Sequence, residues 1–105
     1  MGSEYKLVFS ELAETQFNDI YDYIALKLFD RNAAEKLLRE FDAKLRNVAL
    51  FPKLCPKFII PEHEDTDVRK CVVRNYIVFY LVNDANKTVY VQRVEHGSRD
   101  LNKLL

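Results

Sequence analysis

This 105-residue chain has two glycines, two cysteines, three prolines and no tryptophan, and its 16 Lys+Arg balance 16 Asp+Glu to a formal net charge of zero. Each shortage excludes something. Two glycines cannot build a Gly-rich loop that cradles phosphates, and neither His-Glu-x-x-His nor Gly-x-Ser-x-Gly occurs. No metal, nucleotide or other cofactor is therefore expected. Cys55 and Cys71 show no C-x-x-C spacing and no secretory context, so two reduced thiols are expected. No apolar run approaches the about 20 residues that span a bilayer. The start, Met1 to Lys6, lacks the apolar core of a signal peptide. The expectation is a cytoplasmic protein without membrane contact; Gly2 and Ser3 read as a cloning remnant and carry no weight. Zero net charge also argues against a generic nucleic-acid coat, because phosphate binding usually needs an excess of cations.

What is present points to one folded domain over residues 1–105. With 49% hydrophobic and 30% charged residues, the chain has too much apolar surface to stay disordered. Its charge is unevenly placed. Residues 1–66 hold nine Lys+Arg and twelve Asp+Glu, net −3, and residues 67–105 hold seven and four, net +3. A local basic surface is possible in the second part only.

Tyr5 to Phe9 reads as a first strand ending at Ser10, a good helix N-cap. From Glu11 to Phe29, Ala13, Phe17, Ile20, Tyr21, Ile24 and Leu28 recur at helical spacing. Asp30-Arg31-Asn32 breaks this helix, and Asn32 followed by Glu35 suggests a capping box for a second one. Its buried stripe is Ala34, Leu37, Leu38, Phe41, Leu45 and Val48. A connection this short makes an antiparallel helical hairpin. Pro52, Pro56 and Pro61 make residues 50–66 irregular, with an extended piece around Phe58 to Ile60. Val68 to Val73, Tyr76 to Val82 and Thr88 to Val94 read as strands. The middle one is apolar throughout, as a strand covered on both faces should be. Leu101, Leu104 and Leu105 suggest a terminal helix or ordered tail. The expected class is α+β: a strand, a helical hairpin, then a three-strand meander completing a mainly antiparallel sheet with helices on one face.

His63 among Glu62, Glu64, Asp65 and Asp67 has the ligand types for a hard cation, but an acidic loop of this kind reads as solvated. The more informative set is cationic and lies late in the chain: Arg69, Arg74, Arg93, His96 and Arg99, with Tyr76, Tyr80 and Tyr90. Regular alternation puts Arg93 on the face of Val89 and Val91, and Val94 and His96 on the other, unless a bulge intervenes. Arginine there either binds a phosphate bidentately or pairs with a carboxylate such as Asp100. His96 has the chemistry of a general acid or base near neutral pH.

Four strings resemble the RelE/ParE superfamily of toxins from type II toxin-antitoxin modules. They are Tyr5-Lys-Leu-Val-Phe-Ser-Glu-Leu-Ala-Glu14, Ile20-Tyr-Asp-Tyr-Ile24, Arg74-Asn-Tyr-Ile-Val-Phe-Tyr80 and Val94-Glu-His-Gly-Ser-Arg-Asp100, spanning nearly the whole chain in order. The resemblance implies an α+β toxin neutralised by a cognate antitoxin that folds on binding and carries the contact with operator DNA. It leaves two targets. RelE-like members cut mRNA on the ribosome without a metal, and ParE-like members inhibit DNA gyrase. For the first, His96, Arg93 and Arg74 are the catalytic candidates, with Arg69, Arg99, Tyr76 and Tyr80 as target-binding residues. The chain departs from the nuclease pattern, having Tyr76-Ile77 where arginine is common and no tyrosine directly after His96. Its Arg74–Tyr80 string, its ending and its neutrality are more similar to ParE and the plasmid-stabilisation group.

Overall fold

The computed structural model describes residues 4–59, 61–62 and 65–97. Arg99, the expected terminal helix, His63 and Glu64 lie outside them. Strand β1, Lys6–Phe9, leads through Ser10 into helix α1, Glu11–Asp22, which continues as a wider π-helical turn over Tyr23–Lys27. Helix α2, Arg31–Leu50, returns antiparallel to it, and an irregular strap over residues 51–59 precedes β2, Val68–Val73. Strands β3, Tyr76–Asn83, and β4, Thr88–His96, complete a four-stranded sheet of order β1-β4-β3-β2. The last three strands are antiparallel, as expected for a meander, and β1 pairs with β4 in parallel.

Local chemistry explains the helix starts. Ser10 Oγ accepts the Ala13 N–H at 2.9 Å, satisfying one of the free donors of the first turn. Glu11 and Glu14 favour the same end of the helix dipole. Helix α2 starts earlier than the Asn32/Glu35 pattern suggested, because Asp30 is the cap and accepts the Ala33 N–H at 3.0 Å. Beyond the π-helical turn Phe29 has φ 53°, and this reversal leads into the Asp30 cap.

The apolar stripes of both helices meet one face of the sheet. Ala13, Leu37, Phe41 and Leu45 pack with Val73, Val78, Val91 and Val94, bordered by Phe17, Ile20 and Ile24. Edge-to-face rings run from Phe9 through Phe17 and Phe41 to Tyr76, with centroids 6.0, 4.9 and 5.7 Å apart. A second cluster joins Val48 to Cys55, Cys71, Tyr80, Val82 and Val89.

Two features depart from the sequence reading. The thiols are not free: Cys55 and Cys71 form a disulfide, their Cα atoms 5.4 Å apart. No local motif announces it, because the strap folds back along β2 and brings together residues 16 apart in sequence. The second departure is a bulge. Phe79 pairs with Arg93 and Tyr80 with Val91, so Gln92 is extra. Every side chain after Gln92 therefore changes face, and Val94 enters the core while Arg93 turns away from it. Helix α1 satisfies the disrupted edge. Ser10 Oγ donates to the Gln92 carbonyl at 2.6 Å, and the Val94 N–H donates to Gln16 Oε1 at 2.8 Å.

Candidate functional site

The two-residue turn between β2 and β3 and the end of β4 form one corner of the sheet. Arg74 occupies that turn at φ 53°, and its guanidinium grips the Glu40 carboxylate of α2 with two nitrogens, Nη2 lying 2.8 Å from Oε1. That grip holds the Glu40 carboxyl below its ordinary range and raises the arginine. Tyr76 follows, packed between Phe41 and His96, whose ring meets it edge-on at 5.1 Å. Burial pushes the Tyr76 hydroxyl up, and nearby Tyr23 adds to the shift. The Gly97 N–H closes the corner on the Asn75 carbonyl. A Cβ at position 97 would sit 2.9 Å from that oxygen, so only glycine permits the approach.

The seven residues singled out in sequence thus separate. Arg74, Tyr76 and His96 share this corner, on the helix side. Arg93 lies on the opposite face, its guanidinium carbon 5.3 Å from the Phe79 ring and Nε 3.5 Å from Glu95. Arg69 on β2 and Tyr80 on β3 hold the strap. Arg69 Nε pairs with Asp67 at 2.9 Å and Nη1 donates to the carbonyls of Cys55 and Lys53 at 2.8 and 3.3 Å. The fully buried Tyr80 donates its hydroxyl to the Pro52 carbonyl at 2.8 Å, and burial raises its pKa. Arg99 is outside the described residues.

Glu40 and Tyr23 escaped the sequence reading although each flanks a buried stripe position, Phe41 and Ile24 respectively. Their spacing marks them as stripe-edge residues, and only the sheet corner gives them partners.

Phosphoryl transfer needs a base, an acid and a cation aimed at one reacting group. Here the Arg74 fork is engaged by a carboxylate, the Tyr76 hydroxyl is kept protonated, and Arg93 faces the other way. Among the described residues no three His, Cys, Asp or Glu side chains gather as a metal site, and no helix is long and apolar enough to cross a membrane.

No curated protein matches by sequence. Among solved structures, the fold is similar to that of the chromosomal ParDE toxin-antitoxin system of P. aeruginosa, at 15% identity and a TM-score of 0.67, covering 90% of this chain and 98% of that one. The isolated E. coli RelE toxin superposes with a TM-score of 0.63 at 21% identity, covering 96% and 99%. The archaeal RelE-RelB complex from Pyrococcus horikoshii OT3 gives 0.59 at 16%, covering 92% and 99%. At these identities the likeness is one of fold. The sequence profile for the ParE toxin of the type II toxin-antitoxin system parDE matches residues 7–101, nearly the whole chain, and the protein belongs to that toxin family.

Proposed function

We propose that the protein arrests growth as the toxin of a plasmid-stabilisation type II pair, that a cognate antitoxin holds it inactive, and that its target is DNA gyrase, inhibited by protein-protein contact. The family match over residues 7–101 carries this reading. The dispersed cations support it, because an inhibitor that works by binding needs no convergent acid, base and phosphate clamp. Zero net charge supports it as well, since such a protein has little nonspecific pull on ribosomal RNA. Operator DNA is reached through the antitoxin. The pairing of toxin and antitoxin named for the P. aeruginosa and P. horikoshii structures is consistent with such a partner.

Gyrase acts in the cytoplasm, where thiols are mostly kept reduced. The strap would then rest on Arg69 and Tyr80, whose three hydrogen bonds to the carbonyls of Lys53, Cys55 and Pro52 do not depend on the disulfide.

Induced expression with parallel measurement of mRNA integrity and DNA double-strand breaks tests the target. The expected result is broken DNA with intact mRNA, and stalled cleavage complexes when purified gyrase meets the purified protein. Cuts within ribosomal A-site codons that disappear in His96→Ala or Arg93→Ala would establish the RelE-like endoribonuclease instead. A tight antitoxin complex with neither effect would mark a degenerate toxin that only binds.

A further inference from the structure

The sheet face turned away from the helices is a grid of three cross-strand rows. Val68, Leu81 and Tyr90 form the first, Lys70, Phe79 and Arg93 the second, and Val72, Ile77 and Glu95 the third. The middle row is cationic at both ends and aromatic at its centre. Phe58 of the strap meets Phe79 edge-on at 5.2 Å, Lys70 Nζ lies 5.7 Å from the Phe58 ring, and Arg93 sits over Phe79. The stems of the two cations help bury the rings, leaving Phe79 only 4% exposed, while their heads remain at the surface. Among the described residues no carboxylate pairs with Lys70, and Arg93 has Glu95, a side chain only 12% exposed. Val72, 62% exposed, adds open apolar surface in the neighbouring row. The bulge at Gln92 creates the arrangement, since without it Arg93 would face the core.

We propose that this face docks an acidic protein segment carrying two carboxylates about 10 Å apart with apolar side chains between them, one carboxylate for Lys70 and one for Arg93. The spacing follows from the sheet: the two cations stand two strands apart, and strands lie about 4.8 Å from each other. A helix laid across the strands offers the same span between residues i and i+7, about 10.5 Å. Its apolar residues at i+3 and i+4 would meet the Phe58 ring and Val72. Charge complementarity selects the acidic partner. The rings argue for protein over single-stranded nucleic acid, because base stacking needs an open ring face. Phe79 is closed, and Phe58 is turned edge-on and overlain by Lys70. The surface does not depend on whether the protein acts on gyrase.

The test titrates the full-length, isotope-labelled protein with a synthetic helical peptide having glutamates at i and i+7 and leucines between, followed by amide NMR. A glutamine version of the peptide and a single-stranded DNA oligonucleotide serve as comparisons. Shifts should concentrate at residues 70–72, 79 and 93, weaken with added salt, and vanish with the glutamine peptide. Lys70→Glu and Arg93→Glu should each weaken binding about tenfold. Lys87→Glu, in the turn between β3 and β4, makes the same charge change elsewhere and should bind as the parent does. If Arg93→Glu fails to fold because its stem covers Phe79, Lys70→Glu alone decides, with circular dichroism reporting its fold. Absence of shifts on this face, unchanged affinity in Lys70→Glu, or oligonucleotide binding there in place of the peptide would overturn the proposal.

Discussion

Phe29, Arg74 and Lys87 adopt positive φ, at 53°, 53° and 50°, in a chain with only two glycines to spare for such positions. A left-handed backbone costs a side-chain-bearing residue roughly 1–2 kcal/mol. Arg74 gains an ion pair with Glu40, whereas Lys87 makes no side-chain hydrogen bond or ion pair with any of the described residues. Lys87→Gly should therefore raise stability by about 0.5–1 kcal/mol in denaturant titrations, the relief exceeding glycine's greater chain entropy. Arg74 also sets a pH response. Because Arg74 depresses the folded-state pKa of Glu40, the pair's contribution is complete above the ordinary glutamate value of 4.5 and is lost as pH falls through the lowered one. Melting temperatures followed through that acid range should fall less steeply for Glu40→Gln than for the parent. Asp84, lowered by the Tyr5 hydroxyl and Lys53, acts in the same direction, so some slope should persist.

The strap and the bulged strand behave as units. The disulfide closes a loop of 16 residues, for which the loss of unfolded-chain entropy is about 3 kcal/mol. Denaturant midpoints of oxidised and reduced protein should differ accordingly, with the reduced form still folded. Tyr80→Phe should remove a further amount of about 1 kcal/mol by depriving the Pro52 carbonyl of its donor. In β4 the bulge is essential to the face pattern. The bulge absorbs one extra residue, so deleting Gln92 would leave Arg93 opposite Phe79 and Val94 opposite Val78 but remove the carbonyl that accepts from Ser10 Oγ. The expected outcome is a chain that still folds by circular dichroism but is less stable by about 1 kcal/mol, whereas Gln92→Ala should keep the parent's stability, since the contact to Ser10 uses the backbone carbonyl.

At the scale of the molecule, one side of the sheet carries both helices and the other carries Lys70 and Arg93, and Phe41 links the helices to the sheet through Phe17 and Tyr76. Phe41→Ala should cost about 3–5 kcal/mol, measured by thermal unfolding, and should loosen the Tyr76–His96 corner with it. The helical hairpin, the three late strands and the central place of β3 were legible in the sequence, because helical spacing and an unbroken apolar run depend on near neighbours. Of the late cations, Lys70 and Arg93 lie on the sheet face without helices, whereas Arg74 pairs with α2 and Arg69 with the strap. What only the tertiary structure decided were the pairings between distant residues: Arg74 with Glu40, 34 positions apart, Cys55 with Cys71, β1 alongside β4, and the extra residue at Gln92. Local patterning sets which side chains want burial, but a single inserted residue reverses the face of all that follow, and that choice is made by what packs on either side. The sequence thus determined the elements and the family, while packing determined that the candidate residues split between a corner and a face.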